Sequence, residues 1–401
     1  MRAPLLSRNL VAYLASRFCA ASAMTLLRTG VAWHVFALTG SAFHLGLIGI
    51  AQFVPAFSLM LVGGAVADAF DRRGIMMAAQ LVALTASLVL SVAVGRDAVS
   101  LALLYGVVMV VAATGAFDSP ARASILPTLV ARDAFPRAVT IASTNQALAF
   151  ATGPALAGVL IAASGPGAAY GAYALLLCGS IVGLVFLRPA RQAVPARAIG
   201  VRAVIDGLDF VRRRRVVLGC MLLDMLAVVF GGATALLPLY ANDILRVGPR
   251  GYGLLTSSLE IGALLTSAVL MAVPPIRHAG RALLVAVTVY GLATIVFGLS
   301  RSFPLSIAAY MLVGIGDQVS VVMRSTVIQL STPDELRGRV SAINMMFINA
   351  SNQLGAAESG FVAALTSAQF AVVSGGVASL LVLAIIATTL PELRRYRIDR
   401  A

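Results

Sequence analysis

Leu45–Gly74 reads LGLIGIAQFVPAFSLMLVGGAVADAFDRRG, and its two parts set the terms for the whole chain. Leu45–Ala67 holds no ionisable residue, whereas the next few positions gather Asp68, Asp71, Arg72 and Arg73 into one turn. Crossing the hydrocarbon core takes about 20 apolar residues in an α-helix. A run of that length, closed by a charged turn, is therefore a membrane span that ends in water. The same unit recurs along the chain. Helices are expected at roughly 10–38, 45–67, 75–95, 99–121, 139–163, 167–187, 216–240, 252–273, 282–300, 303–323, 340–365 and 370–390. The fold class this predicts is an all-α integral membrane protein of twelve transmembrane helices.

Composition agrees. Of 401 residues, 60% are hydrophobic and 11% charged, against about 45–50% and 25% in a soluble domain. A water-soluble surface cannot be made from so few polar side chains, so lipid is the solvent for most of the chain. The net charge of +14 comes from arginine alone, since no lysine occurs. These arginines lie between apolar runs rather than on one helix face, which argues for topology and against nucleic acid. With both termini placed in the cytoplasm, the outer loops hold only Arg96, Arg246, Arg250 and Arg301. Arg17, Arg28 and Arg324 fall within helices, and the other 23 of the 30 lie on the inner side.

Cys19, Cys178 and Cys220 stand singly in apolar segments, as do His34, His44 and His278, so neither a disulfide frame nor a metal site is indicated. The first apolar run, from about Leu10 to Leu38, is too long for a secretory leader. The polar stretch Arg188–Arg215 divides the chain into residues 1–187, a linker at 188–215 and residues 216–401. Within it, Val201–Val211 has the pattern of a short amphipathic helix, and the Arg212–Arg215 run suits anionic head groups as well as topology.

The two halves repeat. An offset of 202 carries Arg122 to Arg324, Asp133 to Glu335, Arg137 to Arg339, Gly153 to Gly355 and Gly158 to Gly360. Six-helix halves related by duplication are an established transporter plan, with the solute site near the midplane.

Three motifs point the same way. Gly64-Ala-Val-Ala-Asp68-Ala-Phe-Asp71-Arg72-Arg73-Gly74 resembles the GxxxD-plus-basic-pair signature that major facilitator transporters carry after their second helix. There Gly64 would permit close helix approach, and Asp68 would pair with arginines or a helix N-terminus to form a cytoplasmic gate. Gly153-Pro154-Ala-Leu-Ala-Gly158 looks like the packing motif of that superfamily's exporters, a proline bend with glycines fitting against the partner half. Gln329…Thr332-Pro-Asp-Glu-Leu-Arg337-Gly-Arg339-Val-Ser is similar to the signature of the subfamily of enterobactin-type siderophore exporters and macrolide efflux pumps. Ala121-Arg122…Leu126-Pro127, Ser16-Arg17-Phe18, Gly40-Ser41-Ala42 and Leu45-Gly46 match it too. The chain departs from the usual glycine pattern at Pro274-Pro-Ile-Arg277-His278, which weakens the expected second-half latch.

Ionisable groups at bilayer depth cost about 2.5–3.5 kcal/mol and are functional candidates. Arg17 and Arg28, eleven residues apart, lie within about 20° on one stripe of the first helix. Asp224, Glu260, Asp317 and Glu358 lie in predicted helices of the second half, while Asp118 is spaced to pair with Arg122 at i, i+4. Glu260 and Asp317 are the leading candidates to gain and lose a proton during transport; pairing of the acids with Arg17 or Arg28 is the alternative. No P-loop and no catalytic constellation is present.

The resemblance implies a secondary active exporter of amphipathic small molecules, a siderophore or a drug, coupled to protons or to sodium and working by alternating access. It implies no cofactor, no enzyme activity and no nucleic-acid partner. The expected setting is a bacterial inner membrane, as a monomer with both termini cytoplasmic. Uptake of an organic anion, and a receptor or assembly role without transport, are the rival readings.

Overall fold

The computed structural model describes residues 7–131, 134–188, 201–274 and 276–398. Its elements are α1 (Arg8–Thr39), α2 (Ala42–Ala69), α3 (Arg72–Gly95), α4 (Leu101–Leu129), α5 (Phe135–Ser164) and α6 (Pro166–Phe186) in the first half. Then follow α7 (Val201–Arg213), α8 (Arg215–Gly231), a 3-10 turn at Ala233–Leu236, α9 (Leu237–Leu239) and a π turn at Tyr240–Ile244. The series closes with α10 (Gly248–Ala272), α11 (Ala279–Leu299), α12 (Phe303–Leu330), α13 (Asp334–Leu365), α14 (Ala368–Thr389) and α15 (Pro391–Arg395). No strand occurs among the described residues.

Among these residues, 11 helical stretches are long and apolar enough to cross a membrane, with Arg215–Ile244 counting as one. α13 is the twelfth by length, at 32 residues, and falls short in apolarity because it carries Asn344, Asn349, Asn352, Gln353 and Glu358. Polar side chains in a spanning helix are affordable where they meet protein rather than lipid.

The chain divides into two compact units, Met1–Leu38 with Ala51–Ala198 and Thr39–Ile50 with Ile199–Ala401. The segment Thr39–Ile50 therefore departs from a simple cut at residue 187. Its glycines explain why: Gly46 lies against Ala357 and Gly360 of α13, and Gly49 against Gln353 and Ala357. Small residues let backbones approach this closely, and a side chain at either glycine would have to displace α13. In the same unit, α7 is docked through Gly207 onto Arg339 and Ile343 of α13. The expected amphipathic helix is thus present two residues longer, while residues 189–200 of the expected linker lie outside the described residues.

The repeat is visible in the helix starts. Leu101 of α4 and Phe303 of α12 stand 202 apart, as do Pro166 of α6 and Ala368 of α14. The Asp133–Glu335 pair is not comparable, since Asp133 lies outside the described residues.

Several boundaries differ from expectation. α4 and α12 run to Leu129 and Leu330, so Arg122 and Arg324 are both helical and buried, at 8% and 1% exposure, and Arg122 does not belong to an inner loop. Pro120 and Pro127 do not end α4; in spanning helices, neighbouring groups satisfy the carbonyls that proline frees.

Candidate functional site

The charged turn after α2 ties three helix ends together. Asp71 caps α3, its carboxylate accepting from Gly74 N at 2.9 Å. That satisfies one of the orphan donors of the first turn. Arg72 donates to the Ser124 carbonyl of α4 at 2.9 Å, and Arg73 to the Val185 carbonyl of α6 at 3.0 Å. Cations at helical carbonyls near a C-terminus also complement the macrodipole. The side chain of Asp68 lies outside those described. The close approach expected at Gly64 falls one residue earlier. A Cβ on Gly64 would meet open space, whereas Gly63 is pressed against Ala116 of α4.

Gly153, Pro154 and Gly158 are buried along α5. Gly153 abuts Ser22 and Thr25 of α1, within its own unit. Arg17 belongs to the same α1–α5 seam: it donates to Tyr13 Oη at 2.9 Å and to the Gln146 amide oxygen, while Asn145 donates to the Leu14 carbonyl at 2.9 Å. Arg28 differs. It is exposed on α1 and makes no hydrogen bond or ion pair among the described residues. The expected shared stripe therefore holds one structural arginine and one free one.

The expected intrahelical pair is formed in unit 1. Asp118 takes Arg122 in a two-point contact, Nε–Oδ2 at 2.9 Å and Nη2–Oδ1 at 3.1 Å, and accepts from Gln80 at 3.1 Å. Two parallel N–H···O bonds are the strong form of this pairing.

In unit 2 the acids are distributed differently. Asp224 of α8, 7% exposed, is ion-paired with Arg324 of α12. Asp317, two turns before Arg324 on α12, is half-buried and has no hydrogen bond or ion pair among the described residues. Asp224 and Asp317 line one cavity of about 10 Å³ with Ala227, Val228, Val287, Tyr290 and Ser320. That volume is about the least that holds one water. Glu358 on α13 stands apart from this cluster. It accepts from Ser359 at 3.3 Å, and the same hydroxyl also donates to the Gly232 carbonyl at 2.9 Å, where α8 has ended. Glu260 lies half-buried in α10. Sequence reasoning named Asp224 and Asp317 without placing them together and passed over Arg324, Tyr290 and Ser320. The signal available was the offset itself, which aligns Arg324 with an arginine already expected to be paired.

The described residues thus form a multi-pass helical protein with buried ion pairs and a carboxyl, Asp317, that has no ion-pair partner among them, and ionisable groups inside spanning helices are the mark of a solute or ion pathway. Residues 3–399 match the model of the transmembrane secretion effector family of the major facilitator transporters. The chain belongs to that family: it is a secondary transporter of a secretion family and not an enzyme. It is 28% identical over 379 residues to the multidrug efflux pump Tap of Mycolicibacterium fortuitum, covering 90% of each chain. It is 24% identical over 388 residues to the enterobactin exporter EntS of Escherichia coli, covering 95% of this chain and 92% of that one. Among solved structures, a bacterial homologue of the lysosomal transporter Spinster superposes over 100% of both chains with a TM-score of 0.74 at 15% identity. The peptide transporter POT superposes over 97% of this chain and 95% of its own with a TM-score of 0.75 at 13% identity. These structural likenesses carry the fold.

Proposed function

We propose that this chain exports amphipathic small molecules from a bacterial cytoplasm by alternating access, in exchange for protons. The observation that carries the coupling is the unequal treatment of three acids. Asp118 and Asp224 each have a guanidinium, and Asp317 has none among the described residues. An ionised carboxylate without a cation is costly at bilayer depth, and a proton removes that cost. Asp317 is therefore the proton carrier, with Glu260 as the second candidate. Export rests on the secretion family and on relatives that expel drugs or a siderophore. The excess of arginine in alternate connecting segments supports the reading that both termini face the cytoplasm at an inner membrane.

One observation favours a narrower solute. Arg28 offers an unpaired cation on an exposed face of a spanning helix, which suits a negative group on the molecule carried. The same residue would serve uptake of an organic anion. Cells decide between the two. Overexpression should lower accumulation of an expelled compound from a panel of siderophores, macrolides and lipophilic cations, and Asp317→Asn should cancel that effect. Raised accumulation of an organic anion would instead establish uptake.

A further inference from the structure

The acidic cavity of unit 2 is lined by two carboxyls, one of which is ion-paired with the Arg324 guanidinium, and the charge of this group does not close. With Asp224 and Asp317 both ionised, the group carries one net negative charge; with one proton added it is neutral. Interacting carboxyls in such a space titrate as a set, and the nearest fixed charge decides where the proton resides. Arg324 is that charge. It is 1% exposed, is ion-paired with Asp224, and its Nε finds no acceptor among the described residues. The arginine's field therefore falls on Asp224 first.

We propose that Arg324 is a positioning residue for coupling: by holding Asp224 as the carboxylate, it confines the single exchangeable proton of this cavity to Asp317. The inference rests on the proton-coupled reading above and names the residues that tune its carrier. Ser320 and Tyr290 bring hydroxyls to the same cavity, so one water would suffice to hand a proton to or from Asp317.

The other ionisable groups around the cluster fit this assignment. Cys220 of α8 lies close enough to Arg324 to interact electrostatically, and Tyr310 of α12 does so with Tyr290 of α11. Thiols and phenols bring no charge near neutral pH. α10 and α13, packed on α12 and α8 respectively, carry Glu260 and Glu358, and these two enter the test as comparisons.

The test is the pH profile of solute transport by purified protein in liposomes, using a macrolide or lipophilic cation that the wild type carries. Asp224→Asn strips Arg324 of its carboxylate and leaves the cation acting on Asp317, so the midpoint should fall by about one pH unit or more. Arg324→Gln leaves two carboxyls with no cation, so the midpoint should rise by a similar amount. The charge-neutral double variant Asp224→Asn/Arg324→Gln should return it to the wild-type position, and Arg324→Lys should hold it there. A structural defect would lower transport at every pH without these opposed shifts. Should a single variant fail to insert, the double variant and Arg324→Lys still test the assignment, since both must keep the wild-type midpoint. Unmoved midpoints in the single variants, or shifts of the same sign, would overturn it. If the wild type moves protons and Asp317→Asn stops them, that failure is confined to Arg324. If the wild type moves no protons, both readings fall together.

Discussion

Arg122 and Arg324 occupy matching places in α4 and α12, 202 residues apart, yet they are neutralised in opposite ways. Arg122 is closed by its own helix: Asp118 one turn earlier grips it at two points, its Nη1 also donates to Ser16 Oγ of α1 at 3.4 Å, and Tyr13 of α1 donates to the Arg122 backbone carbonyl at 3.3 Å. In α12 the position matching Asp118 is Ser320, so Arg324 has no local carboxylate and takes Asp224 from α8. The position matching Gly115 is Asp317, which adds a charge that unit 1 does not have. The 202-residue offset thus pairs two arginines in unlike surroundings. In unit 1 the surrounding residues close a structural ion pair, and in unit 2 they leave a carboxyl over. Buried pairs contribute little net stability, although breaking one is expensive. On the proposed reading, the half with the extra acid is the half that carries the proton.

The comparison can be broken at several points. The largest effect belongs to Asp317→Asn, which should abolish transport driven by a pH gradient while leaving exchange of solute down its own gradient; retained gradient-driven transport would remove unit 2 from coupling. Next is Arg122→Gln, which strands Asp118 in the unit 1 core. It should cost about 3–5 kcal/mol, read as a fall in the melting temperature of the purified protein, with the pH midpoint of the remaining transport unmoved. Ser320→Asp rebuilds the unit 1 pattern in α12 by giving Arg324 an i, i−4 partner and setting Asp224 free. Coupling should drop, measured as protons moved per solute, and the melting temperature should fall as well, since Asp224 is left buried without a cation. The smallest effect is at the α2 turn. Gly64→Ala should change stability by less than about 0.5 kcal/mol, because its Cβ enters open space, whereas Gly63→Leu should prevent accumulation of folded protein.

Much of the architecture was legible because lipid imposes one rule, long apolar helices with charged ends, and that rule survives uncertainty at every boundary. α3, α6, α11 and α14 match their apolar runs closely. The misses follow from rotation about a helix axis, which hydropathy does not record. Gly63 and Gly64 differ by about 100°, so only one of them can face α4. Arg324 and Asp224 are a hundred residues apart in the chain, and nothing in either segment shows that α8 and α12 turn those faces together. The ends of α4 and α12 were misjudged for a related reason: an arginine closing an apolar run reads as a turn, even at Arg122 where the pair with Asp118 was expected. Asp118 made Arg122 readable as a pair at four-residue spacing, and the want of any such neighbour left Arg324 unassigned.

The most direct test of the coupling is proton movement on addition of solute to weakly buffered proteoliposomes, wild type against Asp317→Asn, with Glu260→Gln alongside. Proton flux in the wild type that is lost in Asp317→Asn and kept in Glu260→Gln is the predicted result. Flux that persists in Asp317→Asn would contradict the account at its centre.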